Sequence, residues 1–296
     1  MAGWTLDDIP WQAFDETRID PEIVPVIKAA SVVEYNAGDY RTYLCNVFHD
    51  DPRAIKAIDG WAEEELQHGR ALGRWAEMAD PTFDFADSFA RFTAGYRIPV
   101  DAATSVRGSR TGELIARCIV ETGTSSYYTA LADATDEPVL EAICRRIADD
   151  EFAHYQLFHS HLRRYLDREN LGVWRRFRVA LGRLREADDD ELAFAYHAAN
   201  RGGLTYNRRS AVAAHGRTAL GYYTPEVIEP AIEMAFRAIG VRSSRPVTRA
   251  IGWLTWGFLR ARVALYGLTE KLSAWMARRS VSIPTGSPSR NRTSTR

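Results

Sequence analysis

The stretch Trp61-Ala62-Glu63-Glu64-Glu65-Leu66-Gln67-His68-Gly69 has a counterpart in Ala148-Asp149-Asp150-Glu151-Phe152-Ala153-His154. In each, a Glu stands three residues before a His: Glu65 before His68, and Glu151 before His154. On a helix, residues three apart leave the same face, so each pair can converge on one point. The neighbouring acids 63, 64, 149 and 150 lack that spacing. One Glu-x-x-His is common on a solvated helix. Two copies are different, because the helical segment before each carries a lone acid in a core-like run, Glu34 before the first and Glu121 before the second.

Reading outward gives helices almost throughout. The spacing predicts a first long segment over 21–47. Asp50-Asp51-Pro52 is a helix start, with acid ahead of Pro in the first turn, and opens a second helix running to 78. A third covers 109–133, and Asp136-Glu137-Pro138 opens a fourth that reaches 166. The connection 79–107, edged by Pro and Gly, holds a short helix near 85–92. Four long helices with one long crossover suit a four-helix bundle. Further helices are predicted over 173–185, 190–199, 206–220, 225–239 and 248–279. The expected organisation is an N-terminal arm (1–20), a helical bundle (21–168), a C-terminal helical extension (169–279) and a disordered polar tail (280–296).

Composition is that of an ordinary globular chain: of 296 residues, 46% are hydrophobic and 26% charged. The net charge of -1 gives no reason to expect nucleic acid as a partner. Cys45, Cys118 and Cys144 form no C-x-x-C pair, which argues for reduced core thiols, a cytoplasmic setting, and no built-in iron–sulfur or rubredoxin module. The acidic N-terminus has no apolar run, so no signal peptide is expected. The longest apolar stretch, 251–268, is interrupted by Arg260 and Arg262, which suits an interfacial or packed helix better than a spanning one.

Four carboxylates (Glu34, Glu65, Glu121, Glu151) and two imidazoles (His68, His154) match the ligand set of all-α, ferritin-like bundles with a dinuclear centre: one Glu from each of two helices and Glu-x-x-His from the other two. Oxygen-rich ligation suits two Fe ions, with Mn the second choice, over Zn. Glu64 and Asp150, each just before a ligand Glu, are candidates to hold the far nitrogens of the imidazoles. Gly38, Gly123, Thr124 and Ser125 put small residues near the two lone acids, and a substrate cavity is expected there.

These motifs resemble the soluble acyl-acyl-carrier-protein desaturases. Plant members read W-T-A-E-E-N-R-H-G where this chain has 61–69, and I-C-G-T-I-A-A-D-E-K-R-H where it has Ile143-Cys144-Arg145-Arg146-Ile147-Ala148-Asp149-Asp150-Glu151-Phe152-Ala153-His154. The third-helix Glu is followed at the third place by Thr, as Glu121 is by Thr124, and the first-helix Glu precedes a Tyr by six, as Glu34 precedes Tyr40. The similarity covers residues 30–165. It implies that the six residues are ligands, that Thr124 stands at the oxygen-binding face as a catalytic residue, and that Asp150 bonds a ligand His. It also implies a homodimer fed by an external, ferredoxin-type electron donor. The chain departs from the pattern at Phe152-Ala153 and Gln67, where the family has basic residues.

The function this implies is an O2-dependent di-iron oxidoreductase that desaturates or hydroxylates a fatty acyl substrate. The alternatives are another di-iron oxygenase (amine N-oxygenase or aldehyde-deformylating type) and an iron-binding or peroxide-detoxifying ferritin-like protein. A radical-forming reductase subunit fits less well, since Leu72 stands where a Tyr one turn beyond His68 would be needed. Trp4 or Trp11 is a candidate relay of electrons toward Asp150 and His68. The arginines crowded between 163 and 185, Arg175, Arg176 and Arg178 among them, suggest docking of an acyl carrier protein or of a membrane surface. The aromatic and basic residues of 253–262 suggest peripheral membrane contact by the C-terminal helix.

Overall fold

The computed structural model describes residues 3–186 and 190–281, with side chains described in 3–186 and 191–268; the tail expected over 280–296 lies outside the described residues beyond Val281. The described chain is all-helical: α1 (Val24–Tyr35), α2 (Ala37–Val47), α3 (Pro52–Ala79), α4 (Phe85–Gly95), α5 (Arg110–Ala134), α6 (Pro138–Glu169), α7 (Val173–Arg185), α8 (Asp190–Asn200), α9 (Arg208–Ala219), α10 (Pro225–Ala238) and α11 (Arg245–Val281).

The helix starts are built as their sequences indicate. The Asp51 carboxylate accepts the N–H groups of Arg53 and Ala54, and that of Glu137 accepts those of Val139 and Leu140, so each acid satisfies donors that the first turn leaves orphaned. Glu137 is fully buried and also takes the indole N–H of Trp75 at 2.7 Å, which ties the start of α6 to the end of α3.

The single long helix expected over 21–47 is two helices. Asn36, with φ -80° and ψ 9°, leaves the α region between them. No Pro marks the break, so periodicity alone runs straight through it.

Two apolar clusters fill the interior. One gathers Val32, Leu72, Trp75, Tyr128, Leu131, Ile143 and Ile147; the other gathers Tyr43, Trp61, Ile115, Ile119, Phe158 and Leu162. Along α3 and α5 the chain passes from the second cluster to the first, and from α1 into α2, and along α6, it passes the other way. Thus α1 runs antiparallel to α3, on which it packs, and α5 antiparallel to α6. Because α3 and α5 share a direction, the chain must return the length of the domain between them. Residues 80–109, with α4, make that return. The helices from α7 on pack against this unit: α8 on α1, and α7 and α10 on α5.

Gly69 sits where α1 and α3 come closest. A Cβ there would stand 2.7 Å from the backbone nitrogen of Tyr35, so only Gly admits this approach.

Candidate metal centre

Between the two apolar clusters lies a polar layer. Glu34 of α1, Glu65 and His68 of α3, Glu121 of α5, and Glu151 and His154 of α6 are all buried in it. Glu34 stands in the last turn of α1 and the other five in the middle of their helices, where the periodicity that drives apolar residues inward drives these inward as well.

Their ligand atoms form two groups, each with all atoms within 4.8 Å of one another and each able to hold a metal ion: Glu34, Glu65, His68 and Glu151 in the first, and Glu65, Glu121, Glu151 and His154 in the second. Glu65 and Glu151 belong to both. His68 Nδ1 lies 3.2 Å from Glu151 and 3.7 Å from Glu65, while His154 Nδ1 lies 3.2 Å from Glu65 and 3.9 Å from Glu121.

The donor set fits metal. His68 Nδ1, His154 Nδ1, Glu121 Oε1 and Glu151 Oε1 are buried without a hydrogen-bond partner. A buried polar atom left unsatisfied costs about 1–3 kcal/mol. Four such atoms on residues of one buried cluster are an arrangement that a bound cation repairs and an apolar core would not retain.

The far nitrogens are held crosswise. His68 Nε2 on α3 meets Asp150 of α6 at 3.0 Å, and His154 Nε2 on α6 meets Glu64 of α3 at 2.7 Å. Each residue that precedes a shared Glu therefore supports the imidazole of the opposite helix. This fixes which nitrogen of each ring points at the centre.

Burial and mutual repulsion spread the proton affinities. Burial, then the charge of Glu65, holds Glu34 well above the usual carboxylate range; burial, then Glu151 and Glu65, does the same to Glu121. Burial also pushes on Glu65, but the neighbouring Glu34 carboxyl and the imidazoles of His154 and His68 outweigh it and leave that carboxyl well below its usual value. In Glu151, burial and repulsion by Glu65 are outweighed by the two imidazoles, and its carboxyl is lowered. Burial opposes charging of His68 and His154, yet their carboxylate partners hold both well above the ordinary histidine value.

Thr124 is half-buried, and its hydroxyl donates to Glu151 Oε2 at 2.5 Å, so it touches a shared carboxylate directly. Ser125 instead donates to the carbonyl of Ala148 at 3.2 Å and joins α5 to α6. The cavity expected behind the small residues requires correction. Gly38 and Gly123 are exposed, and a Cβ at either would meet nothing within 4 Å. Gly38 follows the break at Asn36, so the one-turn offset from Glu34 does not carry across. Gly123 is two residues from Glu121, about 200° round the helix, and points away.

Of the two tryptophans, Trp4 reaches the site. Its indole N–H donates to Asp150 Oδ2 at 2.8 Å, and its ring lies parallel to that of His68 with centroids 6.0 Å apart. Gln67 donates to the Trp4 carbonyl at 3.1 Å and pins the arm there. Trp11 is an anchor: its N–H goes to the Leu6 carbonyl, and Arg74 lies over its ring. Sequence reasoning missed Tyr128, a buried residue whose hydroxyl donates to Glu34 Oε1 at 2.5 Å. Its position seven residues after Glu121, on the same face, was the available signal.

Of the expected docking arginines, Arg175 and Arg178 are exposed on α7, whereas Arg176 is half-buried and its guanidinium lies against Gly240, just past α10. Cys45, Cys118 and Cys144 are all free thiols. No helix among the described residues is long and apolar enough to cross a membrane. No family model matches the chain, and the curated proteins contain no match to it.

Proposed function

We propose that this protein is an O2-dependent di-iron oxidoreductase of ferritin-like architecture that acts on a fatty acyl substrate, by desaturation or hydroxylation. The observation that carries the reading is the pair of four-residue groups sharing Glu65 and Glu151, with their unpartnered Nδ1 and Oε1 atoms turned inward. The acyl substrate comes from the resemblance of 61–69 and 143–154 to the desaturase motifs.

Glu34 and His68 of one group and Glu121 and His154 of the other would hold two ions together with Glu65 and Glu151, which belong to both groups. A ferrous pair held there would supply electrons for activating O2 toward an unreactive C–H bond. The chain's own part is to orient and to move charge. Asp150 and Glu64 fix the two imidazoles. Thr124 offers a hydroxyl at Glu151, where it can pass a proton to or from that carboxylate. Tyr128 steadies Glu34 and can exchange a proton with it. Trp4, parallel to His68 and bonded to Asp150, is the route this chain offers for electrons from an external donor, since Asp150 also bonds His68.

The test is anaerobic loading with Fe(II), exposure to O2, and mass spectrometry against acyl and amine candidates, with O2 uptake followed in parallel. O2 consumption that rises with an acyl substrate and yields an alkene or alcohol supports the reading. Iron oxidation that no organic substrate alters, with unmodified products, would point to iron or peroxide handling instead.

A further inference from the structure

Outside the metal centre, the chain divides sharply by charge. Residues 241–296 carry eleven Lys and Arg against one acid, Glu270, whereas residues 1–240 carry 27 against 38. A net charge of -1 conceals a strongly cationic C-terminal segment.

The structure gives this segment a face. On α11, Val247, Leu254, Phe258, Leu265 and Leu268 are all exposed, Leu254 by 75% and Phe258 by 62%. Their spacings of seven, four, seven and three put them on one side of the helix. Thr248 and Gly252, on the opposite side, are buried, so α11 packs by one face and presents the other. From Arg242 to Thr269 there are five arginines and no acid. At its N-terminal end, Arg245, Arg249 and Trp253 line a shallow cleft of about 360 Å³ beside the stripe. Arg249 lies 3.8 Å from Glu229.

The pattern recurs on α7. Trp174, 80% exposed, makes an edge contact with Phe177, and Leu184 continues that side of the helix. All five charged residues of α7 are arginines, and Arg175 and Arg178 line a second cleft of about 170 Å³. Scattered exposed apolar residues need no explanation, but a continuous stripe through six turns does. Exposed aliphatic and aromatic side chains flanked by arginine, with Trp at the margin and no acid, match the boundary of an anionic bilayer. There the stripe enters the acyl region and guanidinium groups meet phosphate.

We propose that α11 docks this protein on an anionic phospholipid surface, with Leu254 and Phe258 inserted and the Arg245–Arg249–Trp253 cleft receiving a headgroup phosphate. This stands independently of the chemistry proposed for the metal centre.

The experiment is flotation of the full-length protein with vesicles of phosphatidylcholine alone and with one-third phosphatidylglycerol, at low and moderate salt. Three variants are compared: Leu254→Glu with Phe258→Glu, Arg245→Gln with Arg249→Gln, and Trp253→Phe. The expected result is binding to the anionic vesicles only, weakened by salt, with a blue shift of fluorescence that Trp253→Phe reduces. The stripe variant should bind about tenfold or more weakly, and the arginine variant should lose most of its preference for anionic lipid. Circular dichroism and metal content should be unchanged in all, since these residues are exposed. The proposal is overturned if the wild-type protein ignores both vesicles, or if the stripe and arginine variants float as it does. It is equally overturned if vesicles are not bound and the stripe variant instead halves the mass in sedimentation equilibrium, which would make this face a contact between copies. Binding of an acidic acyl carrier protein without vesicle binding overturns it too.

Discussion

The sharing of Glu65 and Glu151 between the two groups predicts a hierarchy of metal loss. A residue confined to one group should cost one ion when removed, and a shared residue should cost both. Glu34→Ala and Glu121→Ala should therefore each retain about one ion per chain, while Glu65→Ala and Glu151→Ala should retain none, against about two in the wild type. Stability should follow the same steps. An ion present at a hundred times its dissociation constant stabilises the folded state by about 2.7 kcal/mol. In a domain of this size, 1 kcal/mol moves the melting temperature by about 2–4 °C. Each bound ion should then raise Tm by about 5–10 °C, giving two increments in the wild type, one in the singly liganded variants and none in the shared-residue variants. The assay is calorimetry of metal-free protein with and without anaerobic Fe(II) or Mn(II), each variant referred to its own metal-free baseline, with metal counted by mass spectrometry. Equal losses in Glu34→Ala and Glu151→Ala would refute the shared-ligand argument. An unshifted wild-type Tm with no metal retained would refute the centre itself.

Proton bookkeeping offers a second check. Glu34, Glu121, His68 and His154 all have raised proton affinities, so protons compete with metal; loading should release protons and weaken as pH falls, measurable in lightly buffered indicator solution. Gly69→Ala forces a Cβ to within 2.7 Å of the Tyr35 nitrogen and should destabilise by about 1–3 kcal/mol, read by denaturant unfolding; an unchanged midpoint would mean that α1 and α3 are not so close. Trp4→Phe keeps an aromatic ring beside His68 but loses the indole and its N–H to Asp150, so reduction of the oxidised centre by an external donor should slow while metal content holds; identical stopped-flow traces would remove Trp4 as the electron route.

What could be read in the sequence was what helical geometry makes local. The Glu-x-x-His pairs, the acid-before-proline starts at Asp51 and Glu137, and the crossover between α3 and α5 all follow from spacings within one segment or from counting long helices. The misreadings have a different cause. The break at Asn36 has no Pro to mark it, and it turns Gly38 outward; Gly123 stands about 200° round the helix from Glu121, so nearness in sequence does not bring it to the site. Tyr128 lies on the face of Glu121, but its bond to Glu34 and that of Trp4 to Asp150 span 94 and 146 residues, and spacing within one helix does not name such partners.

The crosswise support of the imidazoles also says why the acids at 64 and 150 stand where they do. A ligand His supported from its own helix would leave α3 and α6 free to slide past each other. Here Glu64 reaches from α3 to His154, and Asp150 from α6 to His68, so a shift of either helix along its axis strains both bonds together. With a rise of about 1.5 Å per residue, a slip of one residue across bonds of 2.7 Å and 3.0 Å would stretch them to about 3.1 Å and about 3.4 Å and tilt both, which weakens them together. The apolar clusters above and below the polar layer are less particular, because dispersion contacts tolerate small displacements that hydrogen bonds to imidazole do not. Register in this fold is therefore set at its polar middle, and Trp4 closes that lock from outside by holding Asp150 in place against His68.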